Sequence, residues 1–206
     1  MTKLALWFMV ELTIADENSR EVGITTLIAV AVFVALQLNV QSYTVVMSSM
    51  EPNIHDGDCI MVSKASYRSS DPQRGDVLVF DPPFDSPRPF IKRVIGVPGD
   101  IVEVKENKVF INGIPLDEEY IMAPPNYEMP AKEIPEGEYF VLGDNRNNSN
   151  DSHHNWTVIR DDIIGKAWFV YWPLSSWGVV EHYSYSELLG TLGLEMALCQ
   201  STGGVT

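Results

Sequence analysis

Four short stretches of this 206-residue chain hold side chains able to do chemistry: Ser48–Pro52, Arg74–Phe80, Lys92–Asp100 and Gly143–Ser152. Taken one at a time, each has an ordinary explanation. Ser49 precedes the turn-forming Pro52, Lys92 sits on a strand between Ile91 and Arg93, and the last stretch is a run of Asn, Asp and Ser whose side chains bond their own backbone in turns. Arg74-Gly75-Asp76 matches a cell-adhesion tripeptide, but a turn feeding a strand accounts for it more simply. A serine attacks a carbonyl only when a base within ~2.6–3.2 Å takes its proton. His55, His153, His154 and His182 are candidate bases, with Asp151 to orient one of them as in a Ser-His-Asp triad, yet none sits in a motif that suits this. Adjacent His153 and His154 should point to opposite sides of an extended chain, and no third ligand follows at a metal-binding spacing. Cys59 and Cys199 are too few for a disulfide scaffold or a four-cysteine metal site. A single bridge between them stays open beside Cys59 packing as a small apolar residue. Neither an ATP-binding loop nor metal spacing occurs, so no cofactor is implied.

The elements that must position these residues follow from the hydropathy pattern. No charge occurs from Val22 to Met50, and the stretch from Val22 to Leu38 is dominated by aliphatic side chains. At 1.5 Å per residue, ~17–20 such residues cross a bilayer core. A transmembrane helix over 22–40 is therefore expected; a buried core helix and a cleavable signal are the rivals, the latter disfavoured because Glu21 abuts the apolar run. Lys3 and Arg20 precede the span and no basic residue follows until Lys64, which points to a cytoplasmic N-terminus and a folded portion on the far side. Residues 1–21 then form a cytoplasmic or interfacial segment, with a short helix over Leu4–Ala15.

Past the anchor, apolar runs recur between Gly, Pro, Asp and Asn clusters at Cys59–Val62, Val77–Phe80, Phe90–Val97, Ile101–Val104, Val109–Ile111, Tyr139–Leu142 and Ile163–Trp172. These are strand signatures, and Asn112-Gly113 is a type I′ hairpin turn. The fold class expected is mainly β, a membrane-anchoring N-terminal helix followed by an all-β domain over 41–175. Pro82–Pro89 and Ala123–Pro135 read as surface loops. Residues 176–206 form an extension in which Ser186–Leu198 has the spacing of an amphipathic helix.

In this order, the four clusters resemble the sequence boxes of the type I signal peptidase family, membrane-anchored serine proteases of bacteria and organelles that remove signal peptides. The resemblance runs roughly from Ser48 to Pro173 and takes in Ile164–Pro173. It implies that Ser49 is the nucleophile and Lys92 its general base, with Ser149 hydrogen-bonding and orienting the lysine, Asp151 supporting it and Asp144 paired with Arg93 beneath the site. It also makes the Ser49 N–H an oxyanion donor, a role worth ~3–4 kcal/mol. Lysine serves as a base only when neutral, so burial must pull its pKa down from ~10.4. Strand alternation puts Phe90, Lys92 and Val94 on one face, where an apolar patch would do this, and turns Arg93 the other way. Signal peptides end in small residues, so the cleft should be apolar and shallow; Met50, Ile54, Phe90, Ile91 and Val45 occupy the matching positions. An extended substrate would lie along the strand of Lys92.

Departures from the family pattern are Met47 where a hydroxyl is common, Val46 for proline, Asn53 for threonine and His153 for arginine. An Asp151–His153 pair should be weaker than one with arginine because histidine titrates near neutrality. With 14 Lys and Arg against 28 Asp and Glu the net charge is −14, which disfavours nucleic acid. The partners implied are preprotein signal peptides and the lipid bilayer. Asn147, Asn150 and Asn155 each begin a glycan acceptor triplet, and a sugar at either of the first two would crowd the site. This favours a bacterial plasma membrane or a thylakoid over the endoplasmic reticulum. Two alternatives remain: a self-cleaving repressor-type Ser/Lys protease, for which the 21 residues before the anchor hold no DNA-binding domain, and a catalytically decayed β domain that binds partners.

Overall fold

The computed structural model describes residues 20–34, 37 and 39–185. The expected Leu4–Ala15 and Ser186–Leu198 helices, and Cys199 with any bridge to Cys59, lie outside these residues. The chain divides into two compact units, 1–40 and 41–206. In the first, residues 20–34 are helical and expose Val22, Ile24, Leu27, Ile28 and Phe33. Among the described residues no helix is long and apolar enough to cross a membrane. Residues 37 and 39 are also helical, and strand β1 (Val40–Thr44) begins at the last residue of the expected span. The charge-free stretch 22–50 hid this change, since a lipid-facing helix and a strand can both be apolar throughout.

The second unit is mainly β. Among the described residues its further strands are β2 (Cys59–Ser63), β3 (Val77–Phe80), β4 (Phe90–Gly96), β5 (Ile101–Lys105), β6 (Lys108–Ile111), β7 (Ile114–Pro115), β8 (Met129–Glu133), β9 (Glu138–Leu142), β10 (Val158–Ile159), β11 (Ile163–Trp172) and β12 (Gly178–Val179). The larger sheet runs β1-β2-β11-β3-β4-β9-β10, with β12 on β11; the smaller runs β7-β6-β5-β8. The expected hairpin turn is present, Asn112 and Gly113 having φ of 53° and 83° between β6 and β7. Strand β8 forms inside the stretch expected to be a loop. Pro130 is tolerated because β8 is the edge of its sheet, where a missing N–H breaks no inner ladder.

β3 and β4 position the site. All four residues of β3 are buried: Val77 and Val79 join Ile91 in one apolar cluster, and Leu78 and Phe80 join Val94 in another, with Phe90 packed against it. A strand covered on both faces reads as a continuous apolar run. β4 is buried likewise, yet two of its residues are cations: Lys92 is 4% exposed and Arg93 1%. Long β11 shifts register between Ile163 and Gly165, Ala167 and Phe169, and Val170 and Trp172. Such irregularities bend and twist a strand.

Candidate active site

Ser49 lies in a turn that follows β1. Glu51 N–H donates to Ser48 O, and Asn53 and Ile54 N–H both donate to Met50 O. Met50 and Ile54 are 0% and 1% exposed and plug the turn into the core. They therefore anchor the nucleophile's turn and do not line the cleft expected of them. At the entry to the turn, Met47 has φ of 77° and donates its N–H to Asp56 Oδ1 at 2.8 Å. The loop Gly143–Ser152 grips the turn from the other side: Asn145 N–H donates to Ser49 O at 3.0 Å, Asn145 Nδ2 to Ser48 O at 3.1 Å and Asn148 Nδ2 to Ser48 Oγ at 3.0 Å. Gly143 is required here, since a Cβ on it would stand 2.4 Å from both Ser149 Oγ and Ser49 O.

Lys92 reaches into this turn from β4. Its Nζ donates to Ser49 Oγ at 2.6 Å and to Ile91 O at 2.8 Å, and lies 5.4 Å from the centre of the Phe90 ring. Burial lowers its pKa from 10.5 to about 8, against the opposing pull of the Asp151 and Asp144 carboxylates. About a tenth of such an amine is neutral at pH 7, against less than a thousandth for a free lysine. Among the described residues Ser49 N–H donates to no group, so it is free to meet an oxyanion. None of the four histidines is a hydrogen-bond partner of Ser49.

The supporting residues converge with one exception. Arg93 donates through Nε and Nη2 to Asp144 at 2.8 and 2.7 Å, a bidentate pair 1% and 0% exposed, and Asn53 Nδ2 donates to the same carboxylate. Asp151 accepts from Gly143 N–H at 2.9 Å and lies 2.6 Å from His153 Nδ1. The exception is Ser149: its Oγ is buried without a hydrogen-bond partner among the described residues, so the expected bond to Lys92 is not formed. His153 and His154 also differ from expectation. They lie on a 3₁₀ turn, Ser152–His154, whose tighter winding brings their rings to 3.7 Å, with Tyr127 stacked on His153 at 4.2 Å.

A cleft of about 930 Å³ opens beside the pair. Val45, Phe90 and Ile91 line it as expected, together with Tyr43, Ile60, Val79, Arg88 and Asn147–Asn150. One ion pair escaped sequence reasoning: Arg146, 0% exposed, donates to both oxygens of Glu118 at 2.6 Å and to Gly143 O at 3.1 Å, bracing the Gly143–Ser152 loop. Glu118 stands in an acidic triplet 28 residues away, and nothing in its type or spacing marks it.

A buried amine at hydrogen-bond distance from a serine hydroxyl, beside an apolar cleft, has the chemistry of a serine hydrolase that uses no histidine. The chain belongs to the signal peptidase, peptidase S26 family, whose model matches residues 19–172. It is 46% identical over 144 residues to "Probable signal peptidase I-1" of Synechocystis sp., covering 66% of this chain and 74% of that protein. It is 40% identical over 171 residues to signal peptidase I of Leptolyngbya laminosa, covering 79% and 82%. Thylakoidal processing peptidase 1 of Arabidopsis thaliana is 40% identical over 139 residues, 62% of this chain and 41% of that one. The chain is accordingly a serine peptidase.

Proposed function

We propose that the protein is a membrane-bound endopeptidase that removes N-terminal signal peptides from translocated preproteins after small residues, with Ser49 as nucleophile and Lys92 as general base. The observation that carries this reading is the 2.6 Å approach of a 4%-exposed amine to Ser49 Oγ. In the neutral form Lys92 takes the Ser49 proton as Oγ bonds to the scissile carbonyl carbon. The C–N bond then breaks, Lys92 returns the proton to the departing amine, and an acyl-enzyme remains. Lys92 next takes a proton from water as its oxygen bonds to the acyl carbon, and returns that proton to Ser49 Oγ as the acyl C–O bond breaks, which restores the serine and the neutral amine. Ser49 N–H meets the oxyanion of each tetrahedral state. Asp151, through Gly143 N–H, holds the loop against the pair, and Asp144 with Arg93 fixes β4 from below.

The substrate is an extended segment beside β4. Pairing of β4 with β9 begins only at Arg93, which leaves one side of Phe90–Lys92 available for main-chain hydrogen bonds. Val45, Phe90 and Ile91 make the walls that admit small side chains. A lipid surface is supported in each unit separately, by the exposed aliphatic side chains of helix 20–34 and by Trp172, Leu174, Trp177 and Val179, all exposed after or at the end of β11. The N-terminus is cytoplasmic, and the membrane is a bacterial plasma membrane or its thylakoid equivalent. The test is cleavage of a preprotein bearing an Ala-x-Ala site by the detergent-solubilised protein and by its Lys92→Ala variant. Cleavage by the first alone is expected. Equal cleavage by both would remove Lys92 as the base, and no cleavage by either would favour a binding domain that has lost catalysis.

A further inference from the structure

Beyond β12 the chain doubles back as a strap, Val180–Tyr185, which lies outside the residues matched by the family model. Val180 N–H donates to Trp168 O at 3.0 Å, and the Val180 side chain enters the cluster that holds Met50 and Ile91. Val77 N–H donates to His182 Nδ1 at 3.2 Å, and Tyr183 N–H to Gly75 O at 3.4 Å. Tyr185 is buried in the cluster of the smaller sheet and donates its hydroxyl to Tyr120 at 2.7 Å. The fit is close at Gly75, which has φ of 86°: a Cβ there would fall 1.6 Å from Tyr183 O.

The strap closes over Arg93. Arg93 Nη1 donates to Glu181 O at 2.9 Å, and the guanidinium carbon lies 4.4 Å from the Tyr120 ring centre and 5.1 Å from that of Tyr183. The two rings are themselves 4.6 Å apart. Arg93 thus has Asp144 on one side and the strap on the other, and it is the chain neighbour of Lys92. We propose that Tyr183, together with the Glu181 carbonyl, is a positioning element for Lys92 that acts by sealing the Arg93–Asp144 pair from water; the catalytic consequence rests on the Ser49/Lys92 reading above.

Two effects follow from opening the seal, and they have one sign. Water at Arg93 weakens its hold on Asp144, so more of that negative charge is felt at Lys92, where it favours the protonated amine. Water also relieves the burial that favours the neutral amine. The other charges in play are fixed by their own partners: Asp151 by His153 and Gly143 N–H, and Asp76, beside His182, by Lys166. Glu181 contributes its carbonyl, while its carboxylate accepts from the Tyr183 hydroxyl.

The test titrates Lys92 in the detergent-solubilised full chain by the ¹³Cε resonance of labelled lysine, assigned by its loss in Lys92→Met. Wild type is compared with Tyr183→Ala and Tyr183→Phe. Tyr183→Ala should raise the Lys92 midpoint by about one pH unit, and lower kcat at pH 7 about tenfold with KM unchanged, since one pH unit is tenfold in neutral amine. Tyr183→Phe, which keeps the ring on the guanidinium, should restore the wild-type midpoint. A folded Tyr183→Ala with the wild-type midpoint overturns the proposal. If the alanine variant does not fold, Tyr183→Gln, which fills much of the space but brings a hydrated amide to the guanidinium, is judged the same way. Failure of the wild type to cleave would sink the Ser49/Lys92 reading alone, because the titration reads the strap without turnover.

Discussion

The pH dependence of cleavage follows quantitatively from the burial of Lys92. With a pKa of about 8, the neutral fraction is about 1% at pH 6, a tenth at pH 7, half at pH 8 and nine-tenths at pH 9. If the neutral amine is the base, kcat/KM should rise about ninetyfold between pH 6 and pH 9, tenfold per unit at first and then level off. The assay is initial-rate cleavage of a peptide with alanine at the −1 and −3 positions, in detergent, over pH 5.5–10, with circular dichroism at each pH to show that the fold is intact. An ordinary exposed lysine would give a rate still climbing tenfold per unit beyond pH 9. A histidine base would give a plateau already by about pH 7.5. Either outcome refutes the link from burial to an available base.

Other consequences concern stability. Lys92 has a folded pKa below its unfolded value, so the wild type is penalised at low pH and recovers as pH rises from 8 towards 10.5. Lys92→Met should therefore gain up to about 3 kcal/mol at pH 7, the gain vanishing above pH 10, in urea unfolding followed by tryptophan fluorescence. His182, half-buried, has its pKa lowered from 6.5 to about 4 by burial and by the Lys166 charge, and is neutral at pH 7. Its contribution is full above pH 6.5 and is lost as pH falls to 4; a His182→Asn variant should accordingly lose about 1–2 kcal/mol less than wild type over that window, solvent at the half-buried ring damping the effect. Removing Glu118 as Glu118→Ala strands the buried Arg146 charge and should cost about 3–5 kcal/mol, whereas Glu118→Leu with Arg146→Met should recover most of it. A single variant as stable as wild type would contradict that.

Seven of the strands, β2 to β6, β9 and β11, were legible because each is a stretch rich in Val, Ile, Phe or Tyr between turn residues, and the Asn112-Gly113 hairpin was legible from its turn chemistry. β8 was not, because an edge strand with a proline carries no alternation to detect. Within the site, Lys92 and Ser49 stand 43 residues apart and meet at 2.6 Å. Only the order of the sequence boxes suggested this, as strand periodicity placed Lys92 on a face without saying what lay opposite. The pairs Asp144–Arg93 and Asp151–His153 were expected and are present. The roles given to Met50 and Ile54 changed because an apolar residue beside a nucleophile can serve a pocket or a core equally well; their near-complete burial assigns them to the core. Glu118 and the strap at Tyr183 were invisible, since both act through long-range contacts with no local signature.

The central claim, that Ser49 is a nucleophile activated by Lys92, is tested most directly by intact-mass spectrometry after exposure to a β-lactam-type acylating probe. The account predicts one adduct, mapped by peptide sequencing to Ser49, forming faster as pH rises from 6 to 9 and absent from a folded Lys92→Ala variant. An adduct on another residue, or undiminished labelling of Ser49 without Lys92, would contradict it.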